Sequence, residues 1–253
     1  MDNLKGIVEI ELCACKKLEK LPAVWQLPSL KVLCLQKLTN FETWCEVQGQ
    51  KPRFPVLEKL LIRECESLTA LPKVTFPELR EMSLSDMAMF ERWEAGEESL
   101  GEHVIFPQLE KLSISFCKSL AAFPRASVIS PPFGGAETEC RSAFPALREL
   151  KLVVLETLER WEAGEGTPRE DLIFHWLEKL TIIDCPELTT LPEAPKLSVF
   201  KVGVSQQLLS VHAASRYIAS LSRLELFVDD AETESVVEQI TSSELVHGKD
   251  KWG

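Results

Sequence analysis

The 253-residue chain contains one tyrosine, four histidines and only two asparagines, and its apolar runs are a handful of residues long. A membrane-crossing helix needs roughly 20 consecutive apolar residues, so no such span is expected. Residues 1–15 have neither the basic start nor the apolar centre of a secretory signal. Neither Asn3 nor Asn40 opens an N-x-[ST] acceptor, whereas a secreted repeat protein of this size usually offers several. A basic excess is missing too. With 28 Lys and Arg against 39 Asp and Glu, the formal charge of −11 repels polyphosphate, which argues against nucleic acid as a general partner. The sequence also has no G-x-x-x-x-G-K-[ST] phosphate loop.

What is present is ordinary globular composition, 45% apolar and 26% charged. A chain this long can bury a core without disulfide staples, and four of its eight cysteines return at one fixed position of an internal repeat. That usage favours a reducing compartment, the cytoplasm or nucleus.

The clearest copy of the repeat is Leu57-x-x-Leu60-x-Ile62-x-x-Cys65-x-x-Leu68-x-x-Leu71-Pro72. The same register returns from Ile7, Leu109 and Leu177. A second form, ending in tryptophan, starts at Leu30, Leu79 and Leu147 and places Trp44, Trp93 and Trp161 at matching offsets. Weaker copies begin at Leu197 and Leu221, which makes nine starts, separated by 23, 27, 22, 30, 38, 30, 20 and 24 residues.

This spacing resembles the leucine-rich repeat, which places a short strand at x-L-x-L-x and a turn after it. The fold class expected is an α/β solenoid: a leucine-rich-repeat horseshoe of about nine repeats, with a parallel sheet on the concave face and an irregular or short-helical convex side. A single copy cannot stand alone. Ordering some 25 residues costs about 1–2 kcal/mol each, more than the six or so apolar side chains of one copy return at roughly 1.5–3 kcal/mol apiece. Copies must therefore stack, with strands about 4.8 Å apart. Charge supports the same adjacency. Counted from each repeat start, the second position reads Glu58, Arg80, Glu110, Arg148, Glu178 and the third Lys59, Glu81, Lys111, Glu149, Lys179. Signs alternate in both columns, so each carboxylate is expected between two cations on neighbouring strands.

Cys15, Cys65, Cys117 and Cys185 occupy position nine. Four thiolates can hold zinc, but copies two repeats apart stand on the order of 10 Å from each other, so these thiols are read as small, weakly polar side chains filling the turn. The three recurring tryptophans are read as convex-side packing with their indole N–H on a carbonyl. Phe54-Pro55, Phe76-Pro77, Phe106-Pro107 and Phe144-Pro145 precede strands, where phenylalanine plugs the layer between coils. The chain is expected to be one leucine-rich-repeat domain over 1–253, cut at both ends, with an inserted loop at 125–143 and a helix at 229–241.

On the concave face, positions three, five and seven point outward while four and six point in. The fifth column runs Glu11, Cys34, Leu61, Ser83, Ser113, Lys151, Thr181, Lys201, Glu225, and the seventh Cys13, Gln36, Arg63, Ser85, Ser115, Val153, Ile183, Gly203, Phe227. Leu61, Val153, Ile183 and Phe227 have no packing duty in this register, and apolar groups flanked by cations suit a protein interface. The candidate partner-binding residues are Leu61, Arg63, Lys151, Val153, Thr181, Ile183, Lys201 and Phe227. Catalysis is not expected: His103, His175, His212 and His247 have no metal-ligand spacing, and no Ser or Cys has a base beside it in the register.

The segments FPVLEKLLIRECESLTALP, FPQLEKLSISFCKSLAAFP, FPELREMSLSDMAMFERWEAGEE, FPALRELKLVVLETLERWEAGEG and LSRLELFVDDAETES resemble the repeat region of plant nucleotide-binding leucine-rich-repeat disease resistance proteins, in particular the coiled-coil class of grasses. The resemblance implies an intracellular immune receptor whose repeats sense a pathogen effector or a modified host protein and restrain the nucleotide-binding domain. It implies no cofactor in this chain, ATP or ADP belonging to that other domain, and partners that are proteins, including the nucleotide-binding domain itself. The alternative is the substrate-receiving arm of a ubiquitin ligase. An F-box module upstream would select that reading, and a phosphate loop upstream the receptor.

Overall fold

In a computed structural model, the described residues are 5–44, 54–71, 76–91, 93, 106–124, 143–159, 161, 174–188, 191–203, 217 and 220–227. Each repeat contributes one five-residue strand: β1 Glu9–Cys13, β2 Val32–Gln36, β3 Lys59–Arg63, β4 Glu81–Ser85, β5 Lys111–Ser115, β6 Glu149–Val153, β7 Lys179–Ile183, β8 Val199–Gly203 and β9 Arg223–Phe227. They form one parallel sheet in chain order, β1 to β9. Every strand covers positions three to seven of its repeat, and the pairing is equally regular, with Leu60 beside Met82 and Leu112 beside Leu150. The fold is the leucine-rich-repeat solenoid expected from the periodicity. Among the described residues the convex side is mainly turns, with a 3-10 helix at Val24–Gln26, a parallel bridge between Lys20 and Thr43, and a helical conformation at Tyr217.

Positions four and six are buried in every strand from β2 to β8, and one continuous apolar core runs beneath the sheet. Along β1 and β9 the same positions are only partly buried, because each strand has one described neighbour. Phenylalanines plug the coils as expected: Phe54, Phe76, Phe106 and Phe144 are buried and stack in succession at ring-centroid distances of 5.4, 5.9 and 5.5 Å. Trp44, Trp93 and Trp161 are buried. The indole N–H of Trp44 donates to the Ala70 carbonyl at 3.2 Å and that of Trp93 to the Ala122 carbonyl at 3.0 Å.

Two devices, one of backbone and one of side chains, join successive coils. Position eight turns the chain away from the sheet in the left-handed region, with φ of 52–56° at Ala14, Lys37, Glu64, Asp86, Phe116, Val154 and Asp184. The N–H of this residue extends the ladder: Glu64 donates to Ser85, Phe116 to Val153 and Val154 to Ile183 at 2.8–3.0 Å. Position eleven adds a side-chain ladder. Asn40, Ser67, Ser119 and Thr157 each donate to the position-ten carbonyl of the preceding coil, those of Lys16, Thr39, Ala88 and Lys118, all at 2.7 Å. For a β-branched residue the left-handed conformation is strongly disfavoured. Val154→Asn is therefore expected to stabilise the fold by about 1 kcal/mol, read as a raised urea midpoint at unchanged slope. A lowered midpoint would mean that the Val154 side chain packs better than its backbone is strained.

Those of the expected ion pairs that form do so on one side only, and among the described residues Glu149 pairs with neither Lys111 nor Lys179. Lys31–Glu58 (2.7 Å), Arg80–Glu110 (2.7 Å) and Arg148–Glu178 (2.6 Å) join second-position residues, and Lys59–Glu81 (2.9 Å) joins the third. A side chain that closes on one neighbour turns away from the other, so the carboxylates do not bridge two cations. All are exposed, worth about 0–1 kcal/mol each. The 229–241 helix lies outside the described residues, as does the 125–143 loop except Ala143, which is buried and accepts the Phe106 N–H.

Candidate recognition face

Alternation along each strand puts positions three, five and seven on the open face, away from the core. All eight predicted residues stand there, in two groups. Leu61 and Arg63 are on β3, flanked by Ser83 and Ser85 of β4. Leu61 is half-buried, and the exposed Arg63 guanidinium lies 3.5 Å from Glu64 and 3.9 Å from Asp86. The others sit together on β6 to β9, where the register aligns Lys151 with Thr181, Thr181 with Lys201, and Val153 with Ile183. Lys151 is exposed, and Val153, Thr181, Ile183 and Lys201 are half-buried. Phe227 is 49% exposed at the end of β9.

Ile183 has more packing duty than its column implied. A Cβ on Gly203 would meet Ile183 Cγ2 at 3.0 Å and its Cα at 3.3 Å. Ile183 lies over the bare glycine backbone, and only a residue without a side chain allows that closeness. Lys201 is held by Glu225 at 2.8 Å, and Arg223 reaches the same carboxylate at 2.5 Å. The Lys201 hydrogen bond keeps the Glu225 carboxyl below its ordinary range.

Two exposed aromatics lie just outside the strand positions of this face. Phe116, 45% exposed, follows β5 and donates its N–H to Val153 at 2.9 Å. Trp176, 46% exposed, precedes β7, with Lys196 Nζ 3.3 Å and the Arg148 guanidinium carbon 5.9 Å from its ring centroid. A cation over an indole face adds about 0.5–1 kcal/mol at such a site. The repeat register had left both unassigned. Their signal was a large aromatic at positions zero and eight, where strand alternation makes no prediction.

Three of the four position-nine thiols are interior. Cys65, Cys117 and Cys185 are fully buried. The Cys65 and Cys117 thiols reach the Leu35 and Leu84 carbonyls of the preceding coils at 3.8 and 4.0 Å. Cys15, expected to be buried with them, is exposed, since no described coil precedes its own. Among the described residues, no three His, Cys, Asp or Glu side chains gather in a metal-holding group, and no helix is long and apolar enough to cross a membrane.

No protein-family model matches the chain, and no solved structure matches it significantly. Curated relatives do. The chain is 28% identical over 166 residues to "Probable disease resistance protein RF9" of Arabidopsis thaliana, a stretch covering 65% of this chain and 13% of that protein. It is 27% identical over 167 residues, 66% of this chain and 14% of the relative, to the Arabidopsis proteins named "Probable disease resistance protein RF45" and "Probable disease resistance protein RDL5". These matches span about a seventh of the relatives' length. The chain is a leucine-rich-repeat solenoid similar, over about two thirds of its length, to plant disease resistance proteins.

Proposed function

We propose that this chain is the protein-recognition part of an intracellular plant immune receptor, sensing a pathogen effector or modified host protein and restraining the receptor's nucleotide-binding domain. Its similarity to plant disease resistance proteins supports the setting. Assignment to the coiled-coil class of grasses rests on the motif segments quoted above.

The observation that carries a recognition role is the composition of the open face. A repeat solenoid needs positions four and six for its core and leaves three, five and seven unconstrained. Here those free positions on β6 to β9 include Lys151, Val153, Thr181, Ile183, Lys201 and Phe227, cations beside the half-buried Val153 and Ile183 and the exposed Phe227, in a chain whose net charge is −11. Aromatic and aliphatic groups within a polar surround form the centre of protein interfaces.

The test is direct. Candidate effectors and the receptor's own nucleotide-binding region are assayed for binding. Replacing Lys151, Lys201 and Phe227 together by alanine is expected to weaken binding of the identified partner at least tenfold, with an unchanged circular dichroism spectrum. Unaltered binding would reject this face.

A further inference from the structure

Strands β5 to β7 carry an amphipathic patch whose two halves run parallel across the sheet. Along position three, Lys111, Glu149 and Lys179 are lateral neighbours, and along position five Lys151 lies between Ser113 and Thr181. Lys111, Lys151 and Lys179 are exposed, and among the described residues none of the three makes an ion pair, unlike Lys59 and Lys201 on the same face. With Glu149 as the only carboxylate at positions three, five and seven of these strands, the patch is locally positive on a chain of −11. Along position seven the neighbours are Ser115, Val153 and Ile183, with Phe116 at the same strand ends.

The geometry points to one occupant: an amphipathic helix of a partner protein, lying across β5 to β7 with its apolar stripe on Phe116, Val153 and Ile183 and an acidic flank on Lys111, Lys151 and Lys179. Two dimensions agree. Neighbouring strands are about 4.8 Å apart, and helix residues three or four apart are spaced about 4.5–6 Å along the axis, so successive apolar side chains seat on successive strands. An extended segment repeats its face only about every 6.6 Å and falls out of step. The cationic and apolar lines stand about 7–13 Å apart along the strands, which matches the 10–12 Å width of a helix. Carboxylates are selected because they meet three unpaired ammonium groups, and a basic helix would be repelled.

This inference rests on the recognition face proposed above, and its test separates the two. The probe is a synthetic stapled helix of about five turns with leucine along one stripe and glutamate on the adjoining flank. Its controls are the same helix with lysine for glutamate and a scrambled acidic sequence. Fluorescence anisotropy with the whole chain is expected to show the acidic helix binding at least tenfold more tightly than either control, and more weakly as salt rises. The variant Lys111→Glu, Lys151→Glu, Lys179→Glu changes only exposed residues, so its circular dichroism should match the parent. It is expected to lose the acidic helix at least tenfold and to gain the lysine helix. An acidic helix that binds no better than its controls, or equally well to the variant, overturns the inference. If the alanine variant at Lys151, Lys201 and Phe227 still loses its partner in that case, the recognition face stands and only the helical occupant is wrong.

Discussion

Phe106→Ala is expected to lower the stability of the solenoid by about 3–5 kcal/mol, among the largest losses any single truncation here can produce. Phe106 is fully buried, with its ring 5.9 Å from Phe76, 5.5 Å from Phe144 and 6.2 Å from Trp93. It thus contacts the coils on both sides of its own and a convex-side indole. In a stacked array the stability of the whole is carried by neighbour-to-neighbour interfaces, and an interface weakened in the middle divides the array. Urea unfolding of Phe106→Ala should show both a lower midpoint and a shallower transition, as the two halves cease to unfold together. Phe54→Ala is the comparison. Among the described residues Phe54 has one stacking neighbour, Phe76 at 5.4 Å, and its loss should be smaller and leave the slope intact. Equal effects at both sites would mean that the phenylalanine stack does not couple the coils.

The strands were legible because a repeat states its own register nine times. Leu60 and Ile62, or Leu150 and Leu152, fix inward positions, and the residues between them must face outward. Adjacency was legible from Arg80 opposite Glu110 and Arg148 opposite Glu178, though which side each carboxylate turns to depends on rotamers that no sequence displays. The left-handed residue at position eight was not legible. Lys37, Glu64, Asp86, Phe116 and Val154 share no glycine or asparagine signal, and the ladder imposes the conformation against their preference. Asn40, Ser67, Ser119 and Thr157 share a polar group at position eleven, but Met89 breaks the series, and the carbonyls they reach belong to another coil.

The candidate site divides in the same way. Lys151, Val153, Thr181, Ile183, Lys201 and Phe227 followed from alternation within the strands. Phe116 and Trp176 lie just outside the strands, where alternation ends, and their exposure depends on the turn that places them. The packing of Ile183 over Gly203 joins two repeats, and a one-dimensional pattern holds no information about how closely two backbones approach.

Alkaline pH is expected to unfold this protein through its position-nine thiols. Burial pushes the Cys117 thiol from an ordinary 9.0 up to about 12, and those of Cys65 and Cys185 up to about 11, against a smaller opposing effect of backbone hydrogen bonds. The neutral form is the one the native state holds. Above pH 9 the unfolded chain releases these protons and the folded chain keeps them, so the unfolded state binds fewer protons and stability falls as pH rises. Each such thiol contributes about 1.4 kcal/mol per pH unit, and three together give a slope of about 4 kcal/mol per unit between pH 9 and 11. Across that window the loss of about 8 kcal/mol exceeds the low end of an ordinary stability of about 5–15 kcal/mol and takes about half of the high end. Below pH 9 these groups are protonated in both states and contribute no slope. The check is the urea midpoint as a function of pH, measured for the parent and for Cys117→Ser, whose hydroxyl does not titrate in this range. The variant should start lower at neutral pH and descend about one third less steeply. The exposed Lys and Glu pairs are common to both proteins and cancel in that difference. If the two slopes coincide, the thiolate of Cys117 is tolerated inside the folded coil, and position nine is not the dry, apolar seam that its burial describes.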